Sequence, residues 1–259
     1  MFSLEPQRTQ YDMNFDVLGF PVRIHPFFWL FALISGLGGN TTYTLIWIFV
    51  LFFSVLLHEL GHALVIRHFG GRAHIVLYAM GGLAIEGSND PFAFDYGRRP
   101  RTPFEQIVIS AAGPGAQFLL AAIVAGALYA SGGSLDTAEL GSGVRIPFMY
   151  PVMPEGGNEN LRYLVQSLMF FNVLWAAVNL LPVFPLDGGQ IAQQLLAVQD
   201  PWNGTVKALW LSVWTGGIMA VVGLIVFREM FMLLLFASLA YGSFMMLKQL
   251  TGGGGGRPW

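Results

Sequence analysis

The sequence predicts an all-α integral membrane protein with about six transmembrane helices and a small re-entrant β-hairpin between the second and third helices. The composition is the first reason for this prediction. Of 259 residues, 54% are hydrophobic and only 11% are charged, whereas a soluble domain carries about 25% charged residues. The second reason is a series of long apolar segments, most of which reach the about 20 residues that a helix needs to cross a bilayer.

These segments form one predicted membrane domain, residues 22–250. Glycine-rich turns and charged residues separate the apolar runs. The predicted spans are residues 22–37, 43–68, 104–129, 163–181, 207–227 and 230–247. Residues 1–21 are predicted to be a polar cytoplasmic segment, not a cleaved signal peptide. Residues 251–259 read as a glycine-rich tail, and the loop over residues 131–160 reads as a linker.

The distribution of basic residues predicts the orientation in the membrane. If the N-terminus lies inside, 10 of the 13 Lys and Arg residues fall on the cytoplasmic side. Because basic residues are enriched in cytoplasmic loops, both termini are predicted to lie inside and residues 131–160 outside. We expect a multi-pass protein of a prokaryotic inner (plasma) membrane. The net charge of −2 gives no indication of nucleic-acid binding, and the absence of cysteine excludes disulfides and thiolate ligands.

The second predicted span contains the motif His58-Glu59-Leu60-Gly61-His62. Residues four apart lie on one face of a helix, so His58 and His62 can bind one zinc ion, with Glu59 beside it as a general base. Buried histidines with hydrogen-bond partners are the alternative interpretation. An uncompensated glutamate in hydrocarbon costs about 2.5 kcal/mol or more, so this polar cluster favours a metal site.

A catalytic zinc site needs a third protein ligand. Asp187 follows an apolar run that Pro182 and Pro185 must interrupt, and a carboxylate on such an unwound segment is a reasonable ligand. Its alternative role is the N-cap of a helix over residues 188–198. Four other carboxylates lie in polar surroundings that explain them as solvated: Glu86, Asp90, Asp95 and Glu105.

Residues 70–87 are too short for a helical crossing and predict a β-hairpin. Residues 73–78 read as one strand, and Gly81 and Gly82 mark the turn before the next. Non-helical backbone at membrane depth must be buried in protein or line a cavity. An edge strand there could bind an extended peptide; a plain cytoplasmic loop is the alternative.

Together, the motifs His58-Glu59-x-x-His62 and Asn179-x-x-Pro182-x-x-x-Leu186-Asp187-Gly188 resemble those of the site-2 protease family of intramembrane zinc metalloproteases. The resemblance covers residues 45–199. It implies a minimal form of the family, without PDZ or CBS domains. It implies one zinc ion per chain, bound by His58, His62 and Asp187. It also implies Glu59 as the catalytic acid and base.

The same resemblance implies that Asn179 orients the substrate or stabilises the oxyanion, and that residues 70–87 are the re-entrant β-element of the family. Gly81 and Gly82 would then contact the substrate. Family members often carry Gly-Pro-x-x-Asn in the next helix, where this chain has Gly113-Pro114-Gly115-Ala116-Gln117. Gln117 keeps the amide on a longer arm and is the third expected substrate-binding residue.

The implied function is hydrolysis of peptide bonds within or near the transmembrane segment of single-span membrane proteins, in the lipid bilayer. A regulatory membrane partner or a homo-oligomer is also expected. Two alternatives stay open: a non-catalytic membrane adaptor or chaperone, and a C-a-a-X-type prenyl protease, which would need a different third ligand. A zinc transporter is disfavoured, because few further carboxylates and histidines lie on the helices.

Overall fold

The structure is a computed structural model that describes residues 6–37, 40–79, 81–87, 100–140, 144–154 and 157–252. The elements follow one another along the chain as β1 (Met13–Val17), β2 (Phe20–Ile24), α1 (Pro26–Gly36), α2 (Thr41–His68), β3 (Ala73–Tyr78), β4 (Gly81–Glu86), α3 (Pro103–Ala130), β5 (Ser134–Leu140), β6 (Val144–Val152), α4 (Glu159–Met169), a π-helical turn (Phe170–Trp175), α5 (Ala176–Asn179), α6 (Asp187–Gln199), α7 (Gly204–Ile225) and α8 (Met230–Gly252).

Five helical segments of the described chain are long and apolar enough to span a membrane: Thr41–His68, Pro103–Ala130, Glu159–Asn179, Gly204–Ile225 and Met230–Thr251. They confirm five of the predicted spans to within a few residues. Polar and charged residues limit these segments, and their length of 21 to 28 residues follows from the thickness of the hydrocarbon layer.

The first predicted span, residues 22–37, is wrong in its start. Residues 20–24 form strand β2, and helix α1 begins only at Pro26. The ring of His25 caps this helix by accepting a hydrogen bond from the backbone N–H of Phe27 at 3.2 Å, and proline suits the first helical position. Helix α1 has 11 residues, or about 16 Å at 1.5 Å per residue, about half of the hydrocarbon thickness.

Two compact units can be distinguished by their internal contacts. The first comprises Met1–Pro100, Ala112–Asp136 and Met149–Ala176. Its sheet has the strand order β1-β2-β3-β4. Strands β1 and β2 are antiparallel, β2 and β3 are parallel with Val22 opposite Ile75, and β3 and β4 are antiparallel with Tyr78 opposite Gly81. Helix α2 packs against β3 and β4.

This sheet extends the predicted hairpin and corrects its turn. Gly81 and Gly82 are the first residues of β4, not the turn. Strand β1 lies in the predicted polar segment, residues 1–21, and β2 begins at the end of that segment. Arg23 of β2 forms an ion pair with Asp12 at 2.8 Å, and both side chains are buried. Arg67 of α2 donates to the carbonyl of Leu18 at 2.8 Å, so the β1–β2 turn is attached to the end of α2.

The second unit comprises Arg101–Ala111, Thr137–Phe148 and Ala177–Trp259. Helices α7 and α8 make its most extensive contact. A Cβ added at Gly216 of α7 would lie 3.1 Å from the Cβ of Ala240, so the two backbones approach closely. Large apolar side chains such as Trp214 and Ile218 remain exposed on α7, as expected for a helix that faces lipid.

The predicted linker over residues 131–160 also contains structure, because β5 and β6 pair as a two-stranded sheet. Two segments that entered the predictions, the carboxylates Asp90 and Asp95 and the tail beyond Gly252, lie outside the described residues.

Candidate metal centre

His58, Glu59 and His62 are buried in the C-terminal half of α2. The two histidines lie one helical turn apart, as the spacing predicts, and their Nε2 atoms approach to 3.1 Å. The rings are nearly perpendicular, with centroids 4.7 Å apart. The motif therefore forms one compact polar group within a helix that is long and apolar enough to span a membrane.

The separation of the two imidazole nitrogens suits a shared metal ion. In a tetrahedral zinc site with Zn–N distances of about 2.0–2.1 Å, two ligand nitrogens lie about 3.3 Å apart. The observed 3.1 Å is close to this value. Two lone pairs at such a distance would repel each other unless a cation or a proton lay between them, so the pair fits the expected cofactor.

Helix α3 approaches the histidine pair through a glycine. A Cβ added at Gly113 would lie 2.3 Å from His62 Nε2 and 2.8 Å from His58 Nε2, whereas real Cβ contacts lie beyond 3.0 Å. On α2, a Cβ added at Gly61, next to His62, would lie 2.5 Å from the carbonyl oxygen of Ala112. The two helices are in contact here because both positions lack a side chain.

Gln117 lies next to His58 and is completely buried. Its Oε1 contacts His58 Nδ1 at 2.9 Å, and its Nε2 donates to the carbonyl of Ser54 at a long 3.5 Å. The sequence predicted a substrate-binding role for this residue. Its observed partners place it beside the histidine pair, on the side of the His58 ring away from Nε2.

Strand β4 passes directly over Glu59. A Cβ added at Gly82 would lie 2.4 Å from Glu59 Cγ and 2.7 Å from its Oε1, while a Cβ at the adjacent Gly81 would meet nothing within 4 Å. Only one of the two predicted glycines therefore contacts the motif. Glu59 is buried, with 4% of the residue exposed, and its side chain lies against the backbone of the hairpin at Gly82.

Asp187 is the first residue of α6, and Leu186 occupies the N-cap position. The alternative interpretation of Asp187 as an N-cap is therefore wrong. The following glycines fold tightly against the preceding loop, because a Cβ at Gly188 would lie 2.0 Å from the carbonyl oxygen of Leu180. Asn179 is the last residue of α5, on the other side of this loop.

Two serines fix the loop between α5 and α6. The backbone N–H of Phe184 donates to Ser212 Oγ of α7 at 3.0 Å, and Ser243 Oγ of α8 donates to the carbonyl of Phe184 at 3.3 Å. Both serines are buried. Hydrogen bonds to both backbone groups of one loop residue hold the segment that carries Asp187 in a defined conformation.

His58, His62 and Asp187 form a group that could hold a metal ion, since one ligand atom from each lies within 4.8 Å of the others. Two imidazoles and one carboxylate are a donor set typical of catalytic zinc, with a fourth position left for water or substrate.

Glu105 has a local role, because Thr102 and Glu105 exchange hydrogen bonds at the start of α3 as in a capping box.

The family of the chain follows from comparison with known proteins. Residues 46–222, about two thirds of the sequence, match the family model of Peptidase family M50. The chain belongs to Peptidase family M50.

A curated relative is the zinc metalloprotease MJ0392 of Methanocaldococcus jannaschii, which is 27% identical over 188 residues, or 71% of this chain and 44% of the relative. The M50 chain thus spans less than half the length of that protein. This chain also resembles the solved structure of a site-2 protease from Methanocaldococcus jannaschii. The TM-score is 0.54 and the sequence identity is 22%, over 91% of this chain and 94% of the other. This likeness shows a shared fold, and the described helices identify the M50 chain as a multi-pass integral membrane protein.

Three residues near the M50 motif were not among the predicted site residues. Gly113 contacts both histidines, and Ser54 and Asn172 extend the hydrogen bonds of Gln117. A signal for Ser54 was available, because it lies four residues before His58 on the same helical face. Asn172 is an amide between apolar neighbours in the fourth predicted span, which was also visible in the sequence.

Proposed function

We propose that this chain is an intramembrane zinc metalloendopeptidase that hydrolyses peptide bonds within or near the transmembrane segment of other membrane proteins. The observation that carries this proposal is the His58–His62 pair, with Nε2 atoms 3.1 Å apart, inside a helix that can span a membrane. Membership of Peptidase family M50 and the zinc metalloprotease relative support it. No observation on the described residues favours an adaptor or a prenyl protease.

We assign one zinc ion per chain to His58, His62 and Asp187. The donor set supports this assignment, since two imidazoles and one carboxylate leave a fourth coordination position open. Metal analysis of the detergent-purified protein should give about one zinc equivalent. Asp187→Ala should lower the affinity for zinc, and an unchanged affinity would remove Asp187 from the ligand set.

The chemistry at the peptide bond then falls to Glu59 and Asn179. When bound, zinc lowers the pKa of a water molecule to about 7 and polarises a carbonyl. Glu59 accepts the proton of the attacking water and later transfers it to the leaving amine. Asn179 can donate a hydrogen bond to the oxyanion that develops on the scissile carbonyl.

The proposed substrate is a single-span membrane protein whose helix unwinds locally. Helical carbonyls are hydrogen-bonded within the helix, so the scissile segment must present an extended backbone. Strand β4 ends the order β1-β2-β3-β4 and passes over Glu59 at Gly82. An extended substrate added to this edge would lie next to the general base, which gives Gly81 and Gly82 their proposed role in substrate binding. A contact of Gln117 with the substrate stays a prediction.

The proposed location is a prokaryotic plasma membrane, with both termini in the cytoplasm, because basic residues concentrate on that side. The chain has no native cysteine, so single cysteines can be labelled without background. In intact cells, an impermeant thiol reagent should label Ser142→Cys and should not label Ser3→Cys. Both positions lie outside the described residues. Labelling of the variant at position 3 alone would reverse the orientation.

The test of the activity is Glu59→Gln, with Glu159→Gln as a carboxylate control at the exposed start of α4. The first variant should keep zinc and its fold, since Glu59 is not a proposed ligand. It should cleave a single-span substrate with helix-breaking residues about 10²- to 10⁴-fold more slowly, while the control should resemble the wild type. Cleavage by Glu59→Gln at the wild-type rate would disprove the role of Glu59. A cellular phenotype that requires the protein but not Glu59 would favour the adaptor.

A further inference from the structure

A chain of buried polar side chains extends from His58 into the interior of the first unit. It consists of Gln117 on α3, Ser54 on α2 and Asn172 in the π-helical turn. All three residues are completely buried. Gln117 contacts His58 Nδ1 at 2.9 Å and the carbonyl of Ser54 at 3.5 Å. Asn172 Nδ2 donates to Ser54 Oγ at 2.9 Å. Such groups are costly to bury at membrane depth, so their presence calls for a function.

The direction of each hydrogen bond can be deduced from the atoms involved. A backbone carbonyl only accepts, so the amide nitrogen of Gln117 faces Ser54 and its Oε1 faces His58. An amide oxygen also only accepts, so His58 must carry its proton on Nδ1. The lone pair of His58 is then on Nε2, the atom that lies 3.1 Å from Nε2 of His62. Gln117 thus selects the tautomer that a metal ligand needs.

Asn172 supports this arrangement from a specialised backbone. Its Nδ2 also donates to the carbonyl of Leu168 at 2.8 Å, so both amide hydrogens are used. Residues 170–175 form a π-helical turn, a local widening that often accompanies functional sites in α-helices. The side chain of Asn172 is thereby held against Ser54. The carbonyl group of Ser54 in turn accepts the hydrogen bond from Gln117 Nε2.

We propose that Gln117, Ser54 and Asn172 are positioning residues that fix the tautomer and ring orientation of His58 for zinc binding. The proposal rests on the proposed function in one respect, namely that His58 is a zinc ligand. Metal-binding histidines are commonly oriented by a hydrogen bond at the second ring nitrogen. Here that bond comes from an amide, and a second amide in the π-helical turn stabilises it. These residues act through His58 and need no contact with the substrate.

The experiment compares Gln117→Leu, Gln117→Glu and Asn172→Leu in the full-length, detergent-purified protein. Zinc dissociation constants are measured by competition with a chelator, and the visible spectrum of the Co²⁺-loaded protein reports ligand geometry. Thermal unfolding of the zinc-free protein reports structural damage. The matched control for loss of a buried polar group is Ser167→Ala. Ser167 is a buried serine of α4 that does not belong to the hydrogen-bonded series of Gln117, Ser54 and Asn172.

Gln117→Leu should weaken zinc binding by about 10- to 100-fold and alter the Co²⁺ spectrum. Gln117→Glu should restore most of the affinity, because a carboxylate oxygen can accept the Nδ1 proton. Asn172→Leu should lower the zinc affinity by a smaller factor. If Asn172 acts through Gln117, adding Asn172→Leu to Gln117→Leu should cause no further loss of zinc affinity. Ser167→Ala should bind zinc like the wild type.

Wild-type zinc affinity in Gln117→Leu would overturn the proposal. Equal loss in Gln117→Leu and Gln117→Glu, with a matching fall in the stability of the zinc-free protein, would show a merely structural role and would also overturn it. The proposed function fails separately. If the wild type binds zinc and the variants weaken it, but no cleavage depends on Glu59, the positioning network stands and the protease assignment does not.

Discussion

Gly113 offers the sharpest test of how α3 shapes the metal centre. In Gly113→Ala, the new Cβ would lie 2.3 Å from His62 Nε2, 2.7 Å from His62 Cε1 and 2.8 Å from His58 Nε2. A carbon atom and a neighbouring heavy atom settle at about 3.5 Å, so the His62 ring must retreat by roughly 1 Å. Metal–ligand distances are maintained to within about 0.2 Å, so this shift is several times what a zinc site accepts.

Loss of a contact that orients a metal ligand weakens metal binding about 10- to 100-fold. We therefore expect Gly113→Ala to weaken zinc binding by at least this factor, with a parallel loss of activity. Gly115→Ala is the matched control. It makes the same change two residues along the same helix, where an added Cβ meets nothing within 4 Å. Both changes gain similarly in helix propensity, about 1 kcal/mol, so the comparison isolates the clash with the histidines.

The measurement is chelator competition on the two purified variants, together with thermal unfolding of the zinc-free proteins. Zinc affinity of Gly113→Ala within about twofold of Gly115→Ala would refute the reasoning, since a twofold change is only about 0.4 kcal/mol. If α3 moved away instead of the rings, the contact between Gly61 and Ala112 would open. The zinc-free protein would then lose stability while zinc affinity held, which also contradicts ring displacement.

Three further predictions concern other contacts. Gly82→Ala should displace Glu59, because its Cβ would lie 2.4 Å from Glu59 Cγ; we expect a fall in kcat of about 100-fold with unchanged zinc content, and no comparable effect in Gly81→Ala. Gly188→Ala should prevent accumulation of folded protein, measured by detergent size-exclusion chromatography, because its Cβ would lie 2.0 Å from a backbone carbonyl that cannot move aside. The hydrogen bond from Lys207, followed by that from the backbone of Asn203, lowers the pKa of Asp200 to about 2. Since the unfolded value is about 3.9, this contribution to stability is present above about pH 4 and is lost as the pH falls towards 2. Lys207→Met should flatten that part of the curve of unfolding temperature against pH for the zinc-free protein, and an unchanged curve would contradict the assignment.

The long helices could be predicted from the sequence because each depends on its own residues. An apolar run of about 20 residues has no stable alternative in a bilayer, where every backbone group must be hydrogen-bonded within the segment. The first span was predicted wrongly for a related reason. Strand β2 is buried at four of its five positions, so it lacks the alternation of a half-exposed strand and reads as a continuation of the apolar helix α1.

The hairpin shows the limit of local signals. Residues 73–78 were predicted correctly as a strand, but Gly81 and Gly82 were assigned to the turn because glycine pairs commonly occupy turns. Gly82 is needed for a different reason, namely that Glu59 lies where its side chain would be. A glycine that permits a turn and one that permits a close approach look the same in a sequence.

By itself, the sequence determined the membrane class of this protein, five of its long helices and the pair His58–His62, because helical periodicity alone places residues four apart on one face. Only the tertiary structure decided which segments meet that pair. The parallel pairing of β2 with β3 joins residues 53 positions apart, the contact of Gln117 with His58 spans 59, and the bond between Asn172 and Ser54 spans 118. Contacts of this range depend on how whole elements pack against one another, so the residues around them carry no local pattern from which the partner could be read.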